Sequence, residues 1–162
     1  MLFLDTCVVV DILRGGKDHY LLNLREAEAA GRQLTISSFV LHELTYGAMT
    51  SVRPDLHLNL LDAFIARAHI EPSTAEDAIA AARIRTDLQA TGAPIGAVDS
   101  LIAGQAVNRG WSLVTSNLRD FVRVADLTVI DWSDPAGPRE INQATRTAWM
   151  LTNLRRPLKE AK

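Results

Sequence analysis

The chain has 162 residues, within the range of one compact domain, and 48% of them are hydrophobic, enough for a real core. No apolar run approaches the ~20 residues that span a bilayer, and the single cysteine, Cys7, excludes an internal disulfide and suits a reducing compartment. The formal net charge of -2 carries no global signature of nucleic-acid binding, so an RNA ligand would need a local basic rim or bridging metal ions.

Met1 to Leu4 is apolar, but Asp5 follows at once. A secretory signal would begin with basic residues and run longer, so the segment reads as a buried strand of a cytoplasmic protein. Thr6 to Leu13 reads as a short helix ended by Gly15-Gly16. A second helix carries Tyr20, Leu24 and Ala27 and stops at Gly31. Leu34 to Ile36 is the next strand. Ser37 or Ser38 then caps a helix with Val40, Leu41, Leu44 and Ala48 on one face. Leu56 to Ala68 has helical spacing, His69-Ile70 is a brief strand, and Ser73 or Thr74 caps a helix that runs to about Thr91. A further helix extends from about Ala97 to Gly110. Ser112 to Thr115 and Leu127 to Ile130 are strands.

Strands alternating with helices indicate an α/β fold with a mostly parallel sheet. Residues 133–138 read as a linker, and Arg139 to Leu154 as one more helix with Pro138 at its first position. The expected division is therefore a domain over residues 1–132 and an extension over 133–162, basic at its end.

In open parallel sheets, ligands bind beyond the carboxyl ends of the strands. The sequence places Asp5, Glu43 and Asp99 there, followed by Thr115, Ser116, Asn117 and Asp120. Clustered carboxylates repel one another unless a cation relieves them, and hard divalent cations prefer such oxygens. Hydrolysis of a phosphodiester is chemistry that Mg²⁺ or Mn²⁺ in such a cluster supports. Structural readings stand beside this one. Asp5 also suits a helix cap, Asp99 a helix N-terminus, and Asn117 and Asp120 a turn. Arg14, Lys17, Arg119 and Arg123 flank the same region and suit either RNA backbone contacts or a solvated surface.

Other chemistries lack their residues. His42-Glu43 begins a zinc-protease pattern, but position 46 is Tyr46 instead of the second histidine. A paired-Asp phosphatase would need an acid where Cys7 stands. No histidine is evidently placed to activate Cys7, which reads as a small buried residue.

Four segments together resemble one family: Leu4-Asp5-Thr6, SFVLHELTYG from Ser38 to Gly47, PIGAVDSLIAG from Pro94 to Gly104, and LVTSNLRDFVRV from Leu113 to Val124. They are similar, in order and spacing over residues 1–132, to PIN-domain ribonucleases, and in particular to the VapC toxins of toxin–antitoxin pairs. The resemblance implies a three-layer α/β/α domain with four to five strands and a Mg²⁺- or Mn²⁺-dependent endoribonuclease. It implies Asp5, Glu43 and Asp99 as metal-binding carboxylates, with Asn117 in a fourth site that holds Asp or Asn. Asp120, Thr115, Ser116 and Thr6 are possible accessory groups. It also implies a homodimer, a VapB-type antitoxin, and tRNA or rRNA as substrate. Two departures stand out: Cys7 where the family usually has Asn, and the extension beyond Trp132. Two other readings use the same residues. One is a binding module with remnant acids, and the other is a metal-dependent phosphatase or DNA nuclease.

Overall fold

A computed structural model describes residues 1–16 and 18–154. Lys17 and the basic end from residue 155 lie outside the described residues. The core is a six-stranded sheet in the order β3-β2-β1-β4-β5-β6. Its strands are β1 (Leu2–Leu4), β2 (Leu34–Ser37), β3 (His69–Glu71), β4 (Leu113–Thr115), β5 (Val129–Asp131) and β6 (Arg139–Ile141). The first five run parallel, and β6 returns antiparallel to β5.

The central strands are buried on both faces, as parallel strands covered by helices must be. Every residue of β1, β2 and β4 is buried, including Thr35, Ser37 and Thr115. Helices α1 (Thr6–Leu13), α3 (Ser38–Met49) and α4 (Pro54–Ile65) pack together, with α2 (Asp18–Ala29) against α1. They belong to the crossovers that step outward from β1 to β3. Helices α5 (Ala75–Ala90) and α6 (Ala97–Asn108) form the return crossover from β3 to β4. The reversal of direction carries this second pair to the other side of the sheet when every crossover is right-handed. The switch falls between β1 and β4, so the crevice beyond their carboxyl ends lies between Asp5 and Thr115.

Among the described residues α5 and α6 share the most extensive contact of any two elements. A Cβ on Gly104 would lie 2.5 Å from the Ala81 backbone nitrogen, so glycine there sets how near the helices come. Arg109, at the end of α6, fastens the pair to β3. It forms ion pairs with Glu71 and Asp77, donates to the Pro72 carbonyl at 2.9 Å, and stacks 4.9 Å from the Trp111 ring centre.

The caps follow the sequence. Ser37 accepts from the Phe39 amide at the start of α3, and Thr74 with Asp77 closes a capping box on α5. The sheet holds six strands where four to five were expected, and two elements account for the departures from the sequence reading. A short helix, α7 (Leu118–Phe121), follows β4. Arg139–Ile141, expected as helix, is instead β6, and helix α8 (Gln143–Asn153) begins only at Asn142, whose side chain caps Ala144 and Thr145. The free edge of β5 offered backbone partners to any extended segment beside it. Pairing Ile141 with Val129 and burying Ile141 met that demand. On α8, Trp149 and Met150 lean on the core while Leu151 stays about half exposed. Among the described residues no helix is long and apolar enough to cross a membrane.

Candidate active site

Asp5 is the first residue after β1, and its amide still belongs to the sheet, donating to the Val114 carbonyl at 2.9 Å. Its backbone then turns to cap α1, with Oδ1 accepting from the Thr6 amide at 2.8 Å. The capping role therefore exists, but it uses one carboxylate oxygen only. The second, Oδ2, accepts from the Thr115 hydroxyl at 2.6 Å and from the Cys7 thiol at 3.0 Å. Residues from β1 and β4 thus meet on one carboxyl group at the switch point. Asp5 is 3% exposed. Burial pushes its carboxyl above the ordinary value, against the opposing pull of the Cys7, Thr115 and Thr6 hydrogen bonds, and the charge on Glu43 adds to the rise.

Glu43 sits in the second turn of α3, half-buried, at the margin of that helix's apolar face. Its Oε2 accepts from the Thr6 hydroxyl at 2.5 Å. Asp99 lies in the first turn of α6, where Gly96 is the N-cap without a side chain of its own. A Cβ on Gly96 would lie 2.7 Å from Asp99 Oδ2, so the missing side chain leaves room for this carboxylate at the helix start. The Asp99 carboxyl is pushed up to about 6, first by burial and then by the negative charges of Asp5, Asp120 and Glu43. Four acids from α6, α7, α3 and the β1 turn therefore act on one another. Among the described residues none of the four has an ion-pair partner.

That chemistry fits a hard divalent cation: oxygen donors, mutual repulsion, and no ion pair with Lys or Arg among the described residues to relieve it. The side chains themselves are turned onto neighbouring donors, Glu43 onto Thr6 and Asp5 onto Thr115 and Cys7. Among the described residues no three His, Cys, Asp or Glu side chains form a ready ligand group. The acids are near enough for Asp5 and Glu43 to raise the Asp99 carboxyl, without being gathered as a ready set of ligands.

The other expected residues also gather here. The Asn117 amide donates to the Thr115 hydroxyl at 2.9 Å, and its side chain, at the start of α7, makes no capping bond. Ser116 donates to Cys7 Sγ from both its amide (3.4 Å) and its hydroxyl (3.1 Å). Cys7 therefore packs against the core, as expected of a small buried cysteine, and is also tied into a polar network. Burial and the neighbouring Asp5 push its thiol up to about 11, so it remains protonated and able to donate. Tyr20, fully buried on α2, reaches the same corner near Ser116 and Asp11, and burial pushes its phenol's pKa up, disfavouring the phenolate. Sequence patterning marks Tyr20 only as core, because its approach depends on how α2 docks.

Beside Glu43 a cavity of about 370 Å³ opens between α1, α3 and α4. Val10, Leu13, Leu44, Leu56 and Leu60 line it, with Arg14 at its polar side. Arg14 and Arg119 are exposed and Arg123 is half-buried.

The family model for the PIN domain matches residues 2–127. The chain is 35% identical over 129 residues to ribonuclease VapC2 of Rickettsia felis, covering 80% of this chain and 96% of that protein. It is 39% identical over 100 residues to a tRNA(fMet)-specific endonuclease VapC of Salmonella typhimurium, covering 62% of this chain and 76% of that one. Among solved structures, the VapBC2 complex of Rickettsia felis bound to a promoter DNA fragment superposes with a TM-score of 0.76 at 33% identity, over 82% of this chain and 100% of that chain. DNA-bound VapBC of Salmonella typhimurium gives 0.74 at 34% identity, over 82% and 99%.

Proposed function

The chain belongs to the PIN-domain family, as a ribonuclease of the VapC type, and from that premise we propose that it is the metal-dependent toxin of a toxin–antitoxin pair, cutting RNA at the crevice between Asp5 and Thr115. The observation that supports the site assignment is that Asp5 and Glu43 lie close enough to Asp99 for their charges to raise its carboxyl. The three acids come from three separate elements and form no ion pair with Lys or Arg among the described residues.

In this reading Asp5, Glu43 and Asp99 hold Mg²⁺ or Mn²⁺, and Asn117 serves the fourth position. Bound there, the ion supplies the positive charge that stabilises the phosphodiester transition state and eases deprotonation of the attacking water. The remaining work falls to the protein's own groups. Thr115 fixes the rotation of Asp5 by donating to Oδ2, and Thr6 fixes Glu43 by donating to Oε2. The other Glu43 oxygen, Oε1, has no hydrogen-bond partner among the described residues and is suited to take the water's proton. Asn117 offers an uncommitted amide to a phosphate oxygen, and Asp120 contributes negative charge that strengthens cation binding. Arg14, Arg119 and Arg123 form the basic rim that an acidic chain needs for RNA, contacting the backbone without reading its sequence. The first RNA to assay is tRNA, the substrate class in the name of the Salmonella relative, with rRNA second.

The apolar cavity beside Glu43 is the docking groove we assign to a VapB-type antitoxin, the partner that accompanies the VapC chains in the matching complexes. An amphipathic helix laid there would bury its apolar face against Leu56 and Leu60 and lie over the catalytic crevice. We further propose a homodimer, as in the toxin family, with residues 1–132 as the nuclease domain and the remainder as an addition to it.

The deciding experiment replaces Asp5 or Asp99 with Ala and measures RNA cleavage in Mg²⁺ or Mn²⁺ beside a Mn²⁺ titration. Each variant is expected to lose at least about a hundredfold in rate, with weakened Mn²⁺ binding and an unchanged circular dichroism spectrum. Full activity in either variant overturns the site assignment.

A further inference from the structure

Cys7 is two residues beyond Asp5, in the first turn of α1, yet most of its polar contacts are with the other side of the crevice. Its thiol donates to Asp5 Oδ2 at 3.0 Å. Its sulfur accepts from the Ser116 hydroxyl at 3.1 Å and from the Ser116 amide at 3.4 Å, and lies 3.4 Å from the Thr115 hydroxyl. Ser116 follows β4 directly, and its hydroxyl neighbours the buried Tyr20 phenol. Hydrogen bonds therefore run from Ser116 through Cys7 to Asp5.

We propose that Cys7 is a positioning residue for Asp5: its S–H holds one carboxylate oxygen while its sulfur ties the β1–α1 turn to the β4–α7 loop. The proposal rests on the nuclease reading for its consequence, but its geometric content is independent of that reading.

The physical argument has three parts. Oδ2 is buried and faces two donors, Thr115 and Cys7. The Thr6 amide holds Oδ1 and the Thr115 hydroxyl holds Oδ2, so the thiol is a second donor on Oδ2, and it differs from the other two donors in also gripping Ser116. Groups that hydrogen-bond to a metal-ligating carboxylate set its orientation and so the affinity of the site. The sulfur also meets both donors of Ser116, which precedes Asn117, so one atom ties together the turns that carry two candidate ligands, one after β1 and one after β4. Thiols are weak donors and acceptors, yet this one is mostly buried among polar partners. Removing it would leave the Ser116 amide and hydroxyl without this acceptor.

The test uses the full chain and three variants, Cys7→Ala, Cys7→Ser and Ser116→Ala. In metal-free protein, exchange of the Ser116 amide hydrogen is followed by NMR. It is expected to quicken about tenfold in Cys7→Ala and to return toward the wild-type rate in Cys7→Ser, because a hydroxyl restores the acceptor. With Mn²⁺, Cys7→Ala is expected to bind about 10–100-fold more weakly and to lose a similar factor in kcat for RNA. KM for RNA should stay near the wild-type value, with Cys7→Ser recovering most of the loss. Ser116→Ala, which keeps the thiol, is expected to fall between them and serves in place of Cys7→Ala if that variant does not fold. Wild-type amide exchange and Mn²⁺ affinity in Cys7→Ala overturn the proposal. So does Cys7→Ser behaving as Cys7→Ala, which would mean that only the sulfur's bulk matters. If wild-type protein cuts no RNA, the nuclease reading fails, and the amide exchange still decides the role of Cys7.

Discussion

The Thr6 hydroxyl donates to Glu43 Oε2 at 2.5 Å, joining the first turn of α1 to the second turn of α3 across 37 positions of sequence. The bond couples the capping residue's neighbour to a candidate catalytic acid. It also explains why a glutamate tolerates the border of an apolar helix face, since the hydroxyl compensates one oxygen for lost water. Thr6→Val keeps the shape and removes the donor. RNA cleavage is expected to slow by about tenfold or more while the melting temperature changes little. Thr6→Ser should restore the rate, and a fully active Thr6→Val would detach Thr6 from the mechanism.

Asp99 gives a pH prediction. Its folded carboxyl titrates near 6, above the ordinary value of 3.8. The folded chain therefore holds this proton over a range where the unfolded chain has released it. In metal-free protein the group opposes folding at pH values above about 6, and the opposition fades as pH falls from there toward 3.8. Asp99→Asn is expected to stabilise the metal-free chain at pH 7.5 by roughly 1–3 kcal/mol, allowing for partial exposure. The gain should shrink steadily on acidification toward pH 4. Denaturant melts of both proteins at several pH values read this directly. A gain that does not vary with pH would assign it to packing and not to charge.

Excess Mn²⁺ should reverse the sign. If Asp99 holds the ion, the wild-type protein gains stability from binding and Asp99→Asn gains much less. Thermal melts with and without Mn²⁺ at pH 7.5 measure both. Equal stabilisation of the two proteins by Mn²⁺ would remove Asp99 from the metal site.

Gly104 has a purely structural role. Because its Cβ would meet the Ala81 backbone at 2.5 Å, Gly104→Ala must push α5 away from α6. A loss of about 1–3 kcal/mol is expected in equilibrium unfolding. Asp99 begins the same helix, so activity should fall as well, and a fully active, fully stable variant would contradict the close approach.

Ile141 tests whether the extension is separable from catalysis. It is 2% exposed and pairs with Val129, at the start of β5 and thus at the sheet edge opposite the crevice. Ile141→Ala is expected to cost about 2–5 kcal/mol of stability. At temperatures where the variant remains folded, cleavage per folded molecule should match wild type.

Much of this molecule was legible from residue pattern alone. The strand–helix alternation, the helix caps (Ser37 or Ser38, and Ser73 or Thr74), and the position of Asp5 and Asp99 at element starts are local properties. They follow from periodicity and from which side chains satisfy free backbone groups. Local pattern also leads to the expectation that Asp5, Glu43 and Asp99 share one end of the sheet, and in the structure Asp99 feels the charge of the other two. Three features could not be read in this way. The return of Arg139–Ile141 to the edge of β5 depended on a vacant backbone ladder that only the assembled sheet presents. The reach of Tyr20 to Ser116 depended on how α2 docks. The use of Cys7, a small buried residue, as the link between Asp5 and Ser116 depended on the spacing of β1 and β4. Sequence states which groups a segment carries; which oxygen a hydroxyl faces, and which charges go unpaired, are set by contacts between segments far apart in the chain.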